Sequence, residues 1–139
     1  MNTDQIGAQR RNIEALGFVN ADLYMRPRST ALSMITTGRS ENWHGAPVYF
    51  AHTCDDEWLI KIGSSQNPFQ RVRTLRAPSG ARCELMAVIP SVGSIFEQWL
   101  HWYFVGLRVE GEWFTPWPPL LELIDRVNSV FPLSEQVAA

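Results

Sequence analysis

Val48-Tyr49-Phe50-Ala51, then Trp58-Leu59-Ile60-Lys61-Ile62-Gly63, then Asn67-Pro68-Phe69-Gln70-Arg71 succeed one another in one stretch of the chain. The first two segments are rich in β-branched and aromatic residues and flank a polar turn at 53–57, which predicts a β-hairpin. A turn centred near Asp55 sets Tyr49 directly opposite Lys61 on one face, with Cβ atoms roughly 5 Å apart. A slip of one residue would turn one of the two side chains to the other face. The third segment carries the marks of a helix start. Asn67 is the N-cap, Pro68 takes the first helical position, and Gln70 stands where a capping box wants Glu or Gln. This helix is expected to reach Arg76.

Pro78-Ser79-Gly80 then forces a turn into the apolar run of 83–89, a third strand. Residues 94–107 carry apolar side chains over a broad arc, which predicts a helix. Helical phase gathers Glu97, His101 and Arg108 on its narrow polar stripe. Gly111-Glu112-Trp113-Phe114 reads as an extended or turning core lock, with Glu112 pairing a local cation such as Arg108. A last amphipathic helix covers 120–130 through Leu120, Leu123, Ile124 and Val127. Upstream, 6–16 predicts a short helix ended by Gly17, and 18–45 lacks periodicity. The expected fold is α+β, a small central antiparallel three-stranded sheet flanked by helices, with an N-terminal helical and irregular arm. Its divisions are the arm at 1–45, the main domain at 46–131 and a tail at 132–139.

A chain of 139 residues with 45% hydrophobic and 12% aromatic content suits one domain with a real core. No targeting signal and no apolar run near the ~20 residues of a membrane span is seen, so a cytoplasmic protein without membrane contact is expected. Cys54 and Cys83 lack metal-ligand spacing and read as reduced thiols. A net charge of −2 and a pI near 5.9 argue against holding nucleic acid by bulk attraction. The distribution says more. Lys61, Arg71, Arg73, Arg76 and Arg82 fall between 61 and 83 with no acid before Glu84, which points to a local cationic surface or a solvated helix face. Lys61 is the single lysine beside eleven arginines. On a central strand it needs a partner or a ligand, because a buried ammonium is costly.

These residues resemble the GIY-YIG nuclease superfamily, in particular its phage and fungal branch, which writes the second motif as Lys-Ile-Gly. Pro47-Val48-Tyr49 occupies the first motif and Lys61-Ile62-Gly63 the second, and Arg71 follows ten residues past Lys61. Glu97-x-x-x-His101-x-x-Phe104, then Arg108 and Gly111-Glu112-Trp113-Phe114, is similar to that branch's closing block. The resemblance covers residues 47–114 and implies hydrolysis of DNA phosphodiester bonds with one divalent metal ion, Mg²⁺ or Mn²⁺. It assigns the metal to Glu97, the scissile phosphate to Arg71, and the attacking water to Tyr49, which would position or deprotonate it. Lys61 would stand beside Tyr49, stabilising a phenolate and attracting phosphate. Lys61, Arg71, Arg73 and Arg76 form the nucleic-acid surface, and His101 is a second-shell candidate at the metal. The sequence departs from the superfamily at Pro47, for the first-motif glycine, and at Lys61, for the second-motif tyrosine. For the late asparagine of the superfamily, Asn128 is the only candidate after Glu97.

Structural roles compete with each assignment. Ser94-x-x-Glu97 is also a capping box, Arg71 fits a surface helix face, Tyr49 suits sheet packing, and His101 suits a surface or capping role. Trp43, Trp58, Trp99, Trp102 and Trp117 read as core or interface aromatics, with only Trp117 placed for exposure. Two other functions fit the same residues: an inactive nucleic-acid-binding module, and a phage or mobile-element protein that binds a host protein through its N-terminal arm.

Overall fold

The protein is described by a computed structural model covering residues 3–26 and 45–137. The predicted hairpin forms from β1 (Val48–Thr53) and β2 (Ile60–Ser64). Its register pairs Tyr49 with Gly63 and Ala51 with Lys61, two residues away from the expected Tyr49–Lys61 pair. The loop explains the offset. Asp55 accepts from Thr53 Oγ1 at 2.6 Å and from Trp58 N at 3.1 Å, and Trp58 takes a left-handed φ of 49°. The hairpin therefore closes at Thr53 N to Leu59 O, later than the sequence suggested. An even shift preserves the face, so Tyr49, Ala51, Lys61 and Gly63 remain on one side of the sheet.

Helix α2 (Pro68–Thr74) begins as predicted, with Asn67 Oδ1 accepting from Gln70 N, and stops short of Arg76. The chain continues through β3 (Cys83–Ile89), α3 (Ser94–Tyr103), a 3-10 turn at Val105–Leu107, β4 (Arg108–Glu110), β5 (Trp113–Phe114), α4 (Pro118–Val130) and α5 (Leu133–Val137). The sheet has five antiparallel strands in the order β3-β1-β2-β5-β4. The expected three-stranded sheet is thus its larger part. β4 and β5 are too short to show a two-residue period, and only 111–114 read from sequence as an extended or turning segment. Because α3 ends at Tyr103, Arg108 leaves the stripe it was expected to share with Glu97 and His101.

The two faces of the sheet bury different sets. Val48, Phe50, Ile60, Ile62, Ala87 and Ile89 join Phe96 and Leu100 of α3 and Leu120, Leu123, Ile124 and Val127 of α4 in the main core. Each of these side chains other than Ala87 contributes about 1.5–3 kcal/mol by leaving water. On the opposite face Tyr49, Ala51 and Val88 pack with Val72 and Leu75 beside α2, and with Trp113. The N-terminal arm is built into the first core. Ile13 and Leu16, at the end of α1 (Thr3–Ala15), are fully buried in it, and Arg126 Nη1 donates to Leu16 O at 3.0 Å. A 3-10 turn at Ala21–Met25 follows, and Trp99 Nε1 donates to Arg26 O at 2.6 Å. Of the irregular stretch expected at 18–45, residues 27–44, with Trp43, lie outside the described residues. Among the described tryptophans, Trp117 is exposed as expected, but so are Trp58 and Trp102. No helix among the described residues is long and apolar enough to cross a membrane.

Candidate active site

β5 pairs only Ile60 and Lys61 of β2, so the outer flank of β2 loses its strand partner after two residues. That gap admits side chains from both faces of the sheet. Gly93, at φ 87°, starts α3, and its N–H is held by Ala46 O at 2.8 Å. Ser94 is already inside the helix and makes no side-chain cap, so Glu97 is not the second half of a capping box. It is buried instead, where the helix N-terminus favours a carboxylate. Ser64 Oγ donates to Glu97 Oε1 at 2.6 Å.

His101, one turn further along α3, places Nε2 2.8 Å from Ile62 O and 3.3 Å from Glu97 Oε2. A carbonyl oxygen can only accept, so this nitrogen carries a proton and donates. The Ile62 N–H on the same flank donates to Glu112 O at 3.1 Å.

Glu112 comes from the tight connection between β4 and β5. Its carboxylate takes the Lys61 ammonium at 2.6 Å, a bond that replaces the expected pairing of Glu112 with Arg108. Arg108 donates to Gly111 O instead, at 2.8 Å. Lys61 lies across from Trp113 in the β2–β5 register, with Nζ 5.4 Å from the ring centroid. The lone lysine thus has both a counter-ion and an aromatic face, which makes its low exposure of 11% tolerable. Burial works to raise the Glu112 pKa, but the bond and charge of Lys61 outweigh it, with smaller help from His101 and Glu97. The Glu112 carboxyl is held below its usual range.

Tyr49 approaches from the α2 face. A Cβ on Gly63 would lie 2.7 Å from the Tyr49 ring and hydroxyl, so the phenol packs directly on glycine backbone. Burial pushes the Tyr49 pKa up to about 12. Arg71 works against it by charge and hydrogen bonding, while Glu112 and Glu97 add to it. Tyr49 therefore feels Arg71, Glu97 and Glu112 together, while Lys61, which it was expected to face, stands opposite Ala51.

Glu97, His101 and Glu112 place one ligand-capable atom each within 4.8 Å of one another, and the group is able to hold a metal ion. An open groove of about 320 Å³, lined by Phe18, Tyr24, Tyr103 and Leu123 among others, shares no residue with this cluster.

The model of the T5orf172 domain matches residues 46–130. The chain belongs to the T5orf172 domain family. Comparisons with curated proteins and with solved structures return no match. The T5orf172 domain thus holds every residue of the cluster, and α1 lies outside it although it shares the core. Of the residues singled out in the sequence, Tyr49, Arg71, Glu97, His101 and Lys61 meet at the flank of β2, Lys61 through Glu112. Arg73 is exposed on α2. Arg76 is turned back, its Nη1 donating to Arg73 O at 3.1 Å and Leu75 O at 2.9 Å. Asn128 is remote from the cluster and donates to Met86 O on β3. Glu112 is the residue that sequence reasoning placed with the wrong partner. The signal for it was the lone lysine, which demanded an acid.

Proposed function

We propose that this T5orf172 domain is a GIY-YIG-type endonuclease that hydrolyses DNA phosphodiester bonds with one divalent metal ion, Mg²⁺ or Mn²⁺. The reading rests on the meeting of an aligned carboxylate (Glu97), a guanidinium (Arg71) and a protonated phenol (Tyr49) at one open strand flank. When bound, the cation supplies Lewis-acid polarisation of a phosphate oxygen and lowers the pKa of water. Glu97 holds it, with Ser64 and His101 fixing the carboxylate. Arg71, on the exposed side of α2, presents N–H groups to two phosphate oxygens. Tyr49 keeps its proton near neutral pH and orients the attacking water or the phosphate as a donor, rather than acting as a base. Lys61 serves by holding Glu112, and Arg71 with Arg73 forms the DNA-facing surface. Arg76 first of all caps the end of α2.

The test is incubation of supercoiled and branched DNA with Mg²⁺ or Mn²⁺. Cleavage should stop with a chelator and fall about a thousandfold in Glu97→Ala and about a hundredfold in Arg71→Ala, both folded by circular dichroism. Cleavage that survives both substitutions would end this reading. A second reading, a metal-independent nucleic-acid-binding module, is favoured by one observation: Lys61, where the superfamily has a second phenol, is committed to Glu112. It requires DNA affinity that ignores chelator and falls steeply with salt.

A further inference from the structure

Glu97 and Glu112 bring carboxylate oxygens within 4.8 Å of one another, partly shielded from water. Like charges in contact repel strongly where solvent is scarce, so such a pair needs a cation between its members or a proton. Lys61 balances Glu112 from one side, 2.6 Å away. Ser64 Oγ donates to Glu97 Oε1 at 2.6 Å, and His101 Nε2 lies 3.3 Å from Oε2. A donor held on a carboxylate fixes its direction, as outer partners do for a metal ligand.

His101 is the third member of the group, but its nearest nitrogen is engaged. Nε2 carries the proton given to Ile62 O at 2.8 Å, and a protonated ring nitrogen has no lone pair for a metal.

We propose that the divalent ion is held by oxygen alone, by Glu97 from α3 and Glu112 from the β4–β5 turn, with His101 and Lys61 as positioning residues. The inference rests on the metal-dependent reading above and deepens it by naming a second acid and excluding a nitrogen ligand. Two separate elements, α3 and the β4–β5 turn, thus complete one site across the flank of β2. An all-oxygen donor set suits Mg²⁺ and Mn²⁺ rather than softer ions. Lys61 holds Glu112 in place and lowers the net charge of the acid pair, so that the buried Glu97 and the half-buried Glu112 coexist before the ion arrives.

The experiment titrates the full chain with Mn²⁺ alone, by calorimetry and by electron paramagnetic resonance, without DNA. Wild type should bind, and Glu97→Gln and Glu112→Gln should each weaken binding at least about tenfold. Bound Mn²⁺ should show no hyperfine coupling from a directly coordinated nitrogen. Should Glu112→Gln fail to fold, Lys61→Met/Glu112→Gln removes both charges of the ion pair and should show the same loss. Mn²⁺ affinity unchanged by removal of Glu112, a direct nitrogen coupling, or no Mn²⁺ binding by wild type would overturn the proposal. If Glu97→Gln alone loses the ion while the metal-dependent cleavage of DNA persists in Glu112→Gln, the second acid is wrong and the nuclease reading stands.

Discussion

Along the outer side of β3, the carbonyl groups of Met86, Val88 and Pro90 are met by neutral amides from Asn128, Gln136 and Asn12. Along the outer side of β2 past Lys61, the N–H and carbonyl of Ile62 are met by the Glu112 carbonyl and the His101 ring. Both flanks leave backbone groups without a strand partner, and both satisfy them. The difference lies in what comes with the solution. At β3, three helices each supply one uncharged donor to a carbonyl. At β2, the residues that finish the backbone bonds belong to a group of acids and cations with large desolvation costs. A fold that can seal one flank with amides has no structural need of charges at the other, and this contrast supports the β2 flank as the place of the proposed chemistry.

The contrast breaks most sharply through activity. Glu97→Gln keeps an acceptor for Ser64 but removes the charge, and should lower metal-dependent cleavage about a thousandfold with little change in urea midpoint. A variant that cleaved normally would make the charged flank structural after all. Lys61→Met tests the same flank through stability. It leaves the Glu112 carboxylate without its counter-ion and should cost about 2 kcal/mol, discounted for the partial exposure of Glu112. The sign with pH follows from the depressed Glu112 pKa. Its contribution is present above the unfolded value near 4.5 and disappears as pH falls through the folded value, so the wild-type advantage over Lys61→Met should shrink in acid. Replacing both partners, as Lys61→Met/Glu112→Leu, should restore much of the loss at neutral pH. A double variant no better than the single would argue against the pair.

Tyr49 gives the same comparison an alkaline limb. Its pKa is raised from about 10 to about 12. The folded state therefore holds the phenolic proton longer than the unfolded chain does. The associated stability is full below pH 10 and is lost as pH rises toward 12, by on the order of 2 kcal/mol. Tyr49→Phe lacks this loss, so urea midpoints for wild type and variant should converge or cross between pH 10 and 12. Parallel curves would mean that the phenol is more open to water than its packing on Gly63 implies.

Much of this was legible because it is local. Asn67-Pro68-x-Gln70 starts α2 through bonds within four residues, and the apolar arcs of α3 and α4 are visible as helical periods. Glu97 could be put on a polar stripe by phase alone. The register was missed by two because it depends on Asp55, whose carboxylate reaches Thr53 and Trp58 and also accepts from Ser79 Oγ, a partner 24 residues away. Glu112 was missed as a member of the site for a related reason. In sequence it neighbours Arg108, Trp113 and Phe114, and only the adjacency of β5 to β2 brings it to Lys61. Two-residue and three-residue strands carry no period from which that adjacency could be inferred. Helix phase likewise extended α3 to Arg108, since the turn at 105–107 remains apolar enough to imitate another helical turn.

The sealed flank offers the smallest and most selective test. Asn128→Ala and Gln136→Ala each remove one neutral donor from a β3 carbonyl and should cost about 1 kcal/mol, read as a shift in urea midpoint. Gln136 also donates to Phe131 O at 2.9 Å, which places its cost at the upper end of the pair. The two amides serve separate carbonyls, so the double variant should lose nearly the sum. With both removed, the β3 edge offers free acceptors to another chain, and sedimentation should become concentration-dependent. Cleavage per folded molecule should stay within about twofold of wild type, because neither amide approaches the flank of β2. A loss in Asn128→Ala comparable to that of Glu97→Gln would give Asn128 the part of the superfamily's late asparagine, and the separation between a structural and a chemical flank would fail.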